Sequence, residues 1–137
     1  MKNELMINGS YYEFQFGMGF LRAINKTVSL PIEDVPNLSK NIGLRYAITN
    51  LMDGDVEALS EVLLLANKGC EPRVTPEGLD AYIESDEVDI DALFEQVLDF
   101  LSKANATKKA VAAVKEAVKV AKQKEAEKEA MKKDLMV

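Results

Sequence analysis

Histidine is missing from this 137-residue chain, and with it go imidazole general bases, Ser-His triads and histidine-ligated metals. The single cysteine, Cys70, can close no internal disulfide and suits a reducing compartment. Lys68 and Arg73 are its nearest cations in sequence; without a histidine to activate it, the thiol is a poor nucleophile. Carboxylates are dense at Asp86-Glu87 and Asp89 to Asp91. A calcium loop needs alternating oxygen ligands, a central glycine and a terminal glutamate at fixed offsets, and this stretch lacks the glycine. It runs straight into a periodic apolar segment, so its acids read as helix-start residues held by free N–H groups and the helix dipole. Asp53-Gly54-Asp55 reads the same way, as turn plus cap. Gly17-Met18-Gly19 joins a strand to a helix but lacks the third glycine and the lysine of a phosphate-cradling loop. No enzyme, cofactor or metal centre is expected from this inventory.

Charge divides the chain. Residues 1–106 carry 8 Lys and Arg against 18 Asp and Glu, whereas residues 107–137 carry 9 lysines against 5 acids. An acidic body repels nucleic-acid phosphate, so no nucleic-acid partner is expected for it. The basic end has interleaved glutamates and reads as a solvated helix face. The opening residues lack the basic and long apolar regions of a signal peptide. The longest aliphatic run, Val62 to Ala66, falls far short of the roughly 20 residues that cross a bilayer. No membrane partner is expected, and the chain reads as cytoplasmic.

The elements that would position any site are legible in the spacing. Asn8-Gly9 between Leu5-Met6-Ile7 and Ser10 to Phe16 predicts a β-hairpin with a type I′ turn, Ile7 facing Ser10 and Leu5 facing Tyr12. Leu5, Ile7, Tyr12, Phe14 and Phe16 then share one face. A helix over 17–26 carries Phe20, Leu21 and Ile24, with Val28 continuing the stripe. Pro31 and Pro36 bound a short acidic loop, and a second helix is expected from Asn37 to Met52 with Leu38, Ile42, Ile48 and Leu51 inward. Gly54 stops it, and Asp55 caps a third helix, Val56 to Asn67. Thr75-Pro76 opens a short helix to about Ser85. Asp86 or Asp89 caps a stronger one through Ile90, Leu93, Phe94, Val97, Leu98 and Leu101. Asn105 breaks it, and Thr107 is expected to cap the last helix.

From Lys108 to Lys133 there is no Gly or Pro, and helix propensity is high throughout. Val111, Val114, Val118 and Ala121 form a heptad-like seam that fades at Glu125, a candidate surface for docking on the body or for self-association. The expected architecture is α+β but mostly helical. An N-terminal hairpin packs on about five helices in a compact unit of residues 1–106, and a long charged helix occupies 107–137. Tyr11, Tyr12, Phe14, Phe16 and Phe20 put five aromatics within ten positions. Most of them read as core; in the alternative reading some of Tyr11, Phe14, Phe16 and Phe20 stay exposed, with Met6 or with Leu64 and Leu65, as the walls of a groove for a partner helix.

The run from Leu5 to Asn25 resembles the tail assembly chaperones of long-tailed bacteriophages of Gram-positive hosts. So do Gly43-Leu44, Asn50 to Asp55, Asp89 to Phe94 and Lys103 to Lys109. The likeness reaches to about residue 110 and rests on the order and spacing of the set, since the family has no catalytic signature. The resemblance implies a non-enzymatic helper in the host cell cytoplasm. Such a helper binds the tape measure protein, keeps it soluble while tail-tube protein polymerises around it, and is absent from the mature virion. It also implies a longer frameshifted form of the same protein, for which Lys132-Lys133 is the candidate slippage point.

Two other readings compete. An acidic mimic of DNA would draw on the charge of the body, although the carboxylates gather at helix starts and the tail is basic. A structural subunit of the tail would need a persistent interface between copies.

Overall fold

Asn8 and Gly9 take φ of 52° and 85°, the positive pair that a type I′ turn demands. The computed structural model describes residues 3–33, 37 and 39–135, without the side chain of Asp134, and opens on the hairpin that this turn dictates. Strands β1 (Glu4–Ile7) and β2 (Ser10–Glu13) pair antiparallel, Leu5 opposite Tyr12 and Ile7 opposite Ser10, in the expected register. Pleating sends Leu5 and Ile7, and beyond β2 Phe14 and Phe16, into the core; Met6 and Tyr11 face outward.

Helix α1 (Met18–Asn25) buries Phe20 and Ile24. A second antiparallel ribbon comes next, β3 (Ser29–Pro31) with β4 (Ser39–Asn41). Here the structure corrects the expected helix from Asn37: α2 spans Gly43–Met52. The reason lies in where the backbone donors go. The Ile42 N–H donates to the Val28 carbonyl at 2.9 Å, and the Leu44 N–H to the Asn25 side-chain oxygen at 3.1 Å. The chain around α1 therefore takes the groups that would extend α2 backwards. Gly43 lies so close to α1 that a Cβ would collide with the Ile24 carbonyl oxygen and sit 2.7 Å from Thr27 Oγ1. Leu38, expected inward, and Asp34 to Pro36 of the expected loop lie outside the described residues.

Gly54, at φ 79°, ends α2, and helix α3 (Val56–Asn67) begins at Asp55, whose carboxylate accepts the Glu57 and Ala58 N–H groups. Helix α4 (Pro76–Glu84) starts with proline at its first position and the Thr75 hydroxyl accepting the Gly78 N–H at 3.0 Å. Helix α5 (Ile90–Lys103) is capped by Asp89, which accepts from the Ala92 N–H. A short turn leads into helix α6 (Lys108–Leu135). Thr107, expected to cap α6, is fully buried and its hydroxyl donates to the Leu101 carbonyl at 2.6 Å, closing the end of α5.

One core joins these elements: Ile7, Ile24, Ile48, Leu59, Leu63, Leu79, Val97 and Leu101 are almost wholly excluded from water. It does not stop where the charge changes sign. Val111 and Val114 belong to it, packing α6 against α2 and α5, with Val118 half-buried beside them. From residue 119 to 135 every described side chain of α6 is exposed, a projection of about 25 Å at helical rise. Asn67, at 1% exposure, locks the far end of α3. Its amide nitrogen donates to the carbonyls of Glu13 (2.9 Å) and Pro72 (3.2 Å), and its amide oxygen accepts from the Val74 N–H (2.8 Å).

Candidate functional site

Helix α3 has more apolar residues than one face can bury. Ala58, Leu59, Val62, Leu63 and Ala66 fill the core, which leaves Leu64 and Leu65 half-buried on the next face and Val56 exposed. Helix α4 buries Leu79 and turns the half-buried Ile83 towards the same side. Between them lies an open cavity of about 500 Å³, with Thr27, Val56, Ser60, Leu64, Leu65 and Ile83 among its walls. That volume lies in the ordinary range for ligand clefts, and its lining is predominantly apolar.

The rim is acidic. Glu57 and Glu61 stand one turn apart on α3, and Asp80 and Glu84 one turn apart on α4. Among the described residues none of these four carboxylates has an ion-pair partner. Two pairs of unneutralised carboxylates beside an apolar floor give this cleft a negative potential next to surface that water solvates poorly.

The structure distributes the six candidate partner-binding residues over three environments. Leu64 and Leu65 line the groove. Phe14, Phe16 and Phe20 are core side chains, between 2% and 5% exposed. Phe16 stacks edge-to-face on Phe20 with ring centroids 5.1 Å apart, and it also meets Phe100 at 5.9 Å. Tyr11 is 62% exposed on the outer hairpin face, paired across the strands with Met6. Phe20 and Leu65 do meet at a second depression of about 350 Å³, beside Met18 and Lys68. Of the candidate self-association seam, Val111 and Val114 are buried inside this chain, Val118 is half-buried and Ala121 is exposed. Sequence reasoning missed Ile83 and the four rim carboxylates. The signals for them were the i, i+4 acid pairs Glu57/Glu61 and Asp80/Glu84, each beside a surplus apolar residue.

The groups that could have done chemistry are engaged otherwise. Cys70 is buried and its thiol faces the Ala66 carbonyl; burial, and then the Glu13 carboxylate, push the thiol's pKa up, away from the reactive thiolate. Asp55 and Asp89 cap helices. Among the described residues no group of three or more acids and cysteines is arranged to hold a metal ion, and no helix is long and apolar enough to cross a membrane.

Comparison with curated proteins and with solved structures gives no match. The family model for phage tail assembly chaperone protein, TAC, matches residues 4–116, from the first strand to the docked part of α6. With most of its length covered in this way, the chain belongs to the phage tail assembly chaperone family.

Proposed function

We propose that this protein binds the tape measure protein in the host cell cytoplasm and keeps that long helical chain soluble until tail-tube subunits polymerise around it. It then leaves without entering the virion. The observation that carries this reading is the open, acid-rimmed apolar groove between α3 and α4. An amphipathic client helix would lay residues at i, i+3 or i+4, and i+7 over Leu64 and Ile83, withdrawing them from water. Each contact is small and exchangeable, and many copies along one long client hold it by number. Release needs only replacement by tube protein, so the role is non-enzymatic and requires no cofactor. A longer frameshifted form sharing this body would carry the same groove into a second partner, the tube protein.

The test is co-expression with the neighbouring tape measure gene. The expected result is that the client becomes soluble and co-purifies with the chaperone, and that Ile83→Asp reduces both while the variant keeps its own melting transition. A client that precipitates equally with and without the chaperone overturns the reading. So does recovery of this chain in stoichiometric amounts from purified particles, which belongs to a structural subunit.

A further inference from the structure

The exposed half of α6 carries the counterpart of the groove. Taking 3.6 residues per turn, Val120, Lys124, Lys128, Met131, Lys132 and Leu135 fall within one stripe about 120° wide. Val120, Met131 and Leu135 are among the exposed large apolar side chains of the molecule, at 39%, 64% and 84%. Glu127 and Glu125 border that stripe about 20° beyond its two edges, and Glu129 lies further round the helix. The stripe itself presents apolar side chains interleaved with three lysines that have no ion-pair partner among the described residues, opposite in charge to the rim formed by Glu57, Glu61, Asp80 and Glu84. The lengths also agree: Lys124 to Lys132, and Glu57 to Leu65 on the groove wall, each span about 12 Å of helix.

We infer that the free half of α6 docks in the α3–α4 groove of a second copy of this chain. Docking within one chain is opposed by covalent geometry. The helix runs without a break from Lys108 to Leu135, its first turns are fixed on α2 and α5 by Val111 and Val114, and it contains no Gly or Pro at which to fold back. Groove and tail are different surfaces, so the contact is heterologous and can repeat from copy to copy without closing on itself. A client helix and a neighbour's α6 would compete for the same floor; the inference concerns the groove alone and does not require the client.

Reciprocal charge reversal tests it, with full-length protein and no client, by sedimentation at rising concentration. The wild type is expected to self-associate at low ionic strength and to lose this as salt rises to about 0.5 M, where charges are screened within a few ångströms. Glu61→Lys with Glu84→Lys, and separately Lys128→Glu with Lys132→Glu, are each expected to weaken association about tenfold or more. Mixing the two variants restores it, because each then offers the other a matched groove or tail. The lysine variant lies wholly on an exposed helix face, so its effect cannot come from unfolding the body. A wild type that stays monomeric throughout, association untouched by either pair, or a mixture that stays dissociated would each overturn the inference. Loss with the groove pair alone would overturn it too, and would assign the groove to another occupant. Failure of client solubilisation with self-association intact strikes the client-binding reading and leaves this one standing.

Discussion

The side-chain amide of Asn67 donates to the main-chain carbonyl of Glu13 at 2.9 Å, so the last turn of α3 holds the end of the hairpin that begins the chain. The same side chain also bonds Pro72 and Val74, and with 1% of its surface exposed it has no water to fall back on. Replacing Asn67 by Ala leaves the Glu13 and Pro72 carbonyls and the Val74 N–H without these partners. Since the Val74 N–H is buried and a buried unsatisfied group costs about 1–3 kcal/mol, a loss in that range is expected. Urea unfolding should show a lower midpoint with an unchanged slope.

Gly43 and Gly54 separate two uses of glycine. At Gly43 an added methyl group would meet the Ile24 carbonyl and Thr27, main chain and side chain of a packed neighbour, so Gly43→Ala is expected to cost about 2–3 kcal/mol through overpacking. At Gly54 a Cβ would meet nothing, and only the φ of 79° resists it, so Gly54→Ala should cost about 1 kcal/mol. Thermal melts of the two variants check the order.

Cys70 gives a pH dependence with a definite sign. Its pKa in the folded chain is raised above the ordinary thiol value of 9.0, so above pH 9 the unfolded chain loses the proton first and binds fewer protons than the folded one. The stability contributed by the neutral thiol is whole below pH 9 and declines as pH rises through the folded pKa. The wild type should therefore lose stability more steeply than Cys70→Ala as the pH rises above the ordinary thiol value of 9.0, measured by urea midpoints at each pH. In the native state the thiol should also react with iodoacetamide far more slowly than an exposed cysteine.

Removing everything after Val118 should leave the fold intact, because every described side chain beyond it is exposed. A change of no more than about 0.5 kcal/mol is expected, as for surface substitutions generally. Val111→Ala removes two buried methyl groups from the core and should cost about 1–3 kcal/mol. Calorimetry of both variants locates where α6 stops contributing to stability.

What the sequence made legible was local chemistry. Asn8-Gly9 specified a hairpin and its register, and Asp55, Thr75-Pro76 and Asp89 marked helix starts that the structure reproduces. The β3–β4 ribbon was not legible, because all six of its residues are exposed and Ser39-Lys40-Asn41 has neither alternation nor β-branching to signal a strand. Main-chain pairing of β3 with β4, continued by the Ile42 N–H to the Val28 carbonyl, makes it, and such bonds leave no mark on residue type. At the groove, the excess of leucine on α3 pointed to Leu64 and Leu65, whereas Ile83 enters only through the packing of α4 against α3, which no local pattern encodes. Grouping Tyr11 with Phe14 and Phe16 followed composition; the pleat that put Leu5, Ile7, Phe14 and Phe16 on one face already sent Tyr11 to the other.

Because α6 has no joint between its anchored and free halves, its far end is a lever about 32 Å long with its fulcrum at Val111 and Val114. Any load taken up near Met131 or Leu135 is transmitted as torque into the packing between α2 and α5, so whatever grips the tip of this helix also pulls on the middle of the molecule.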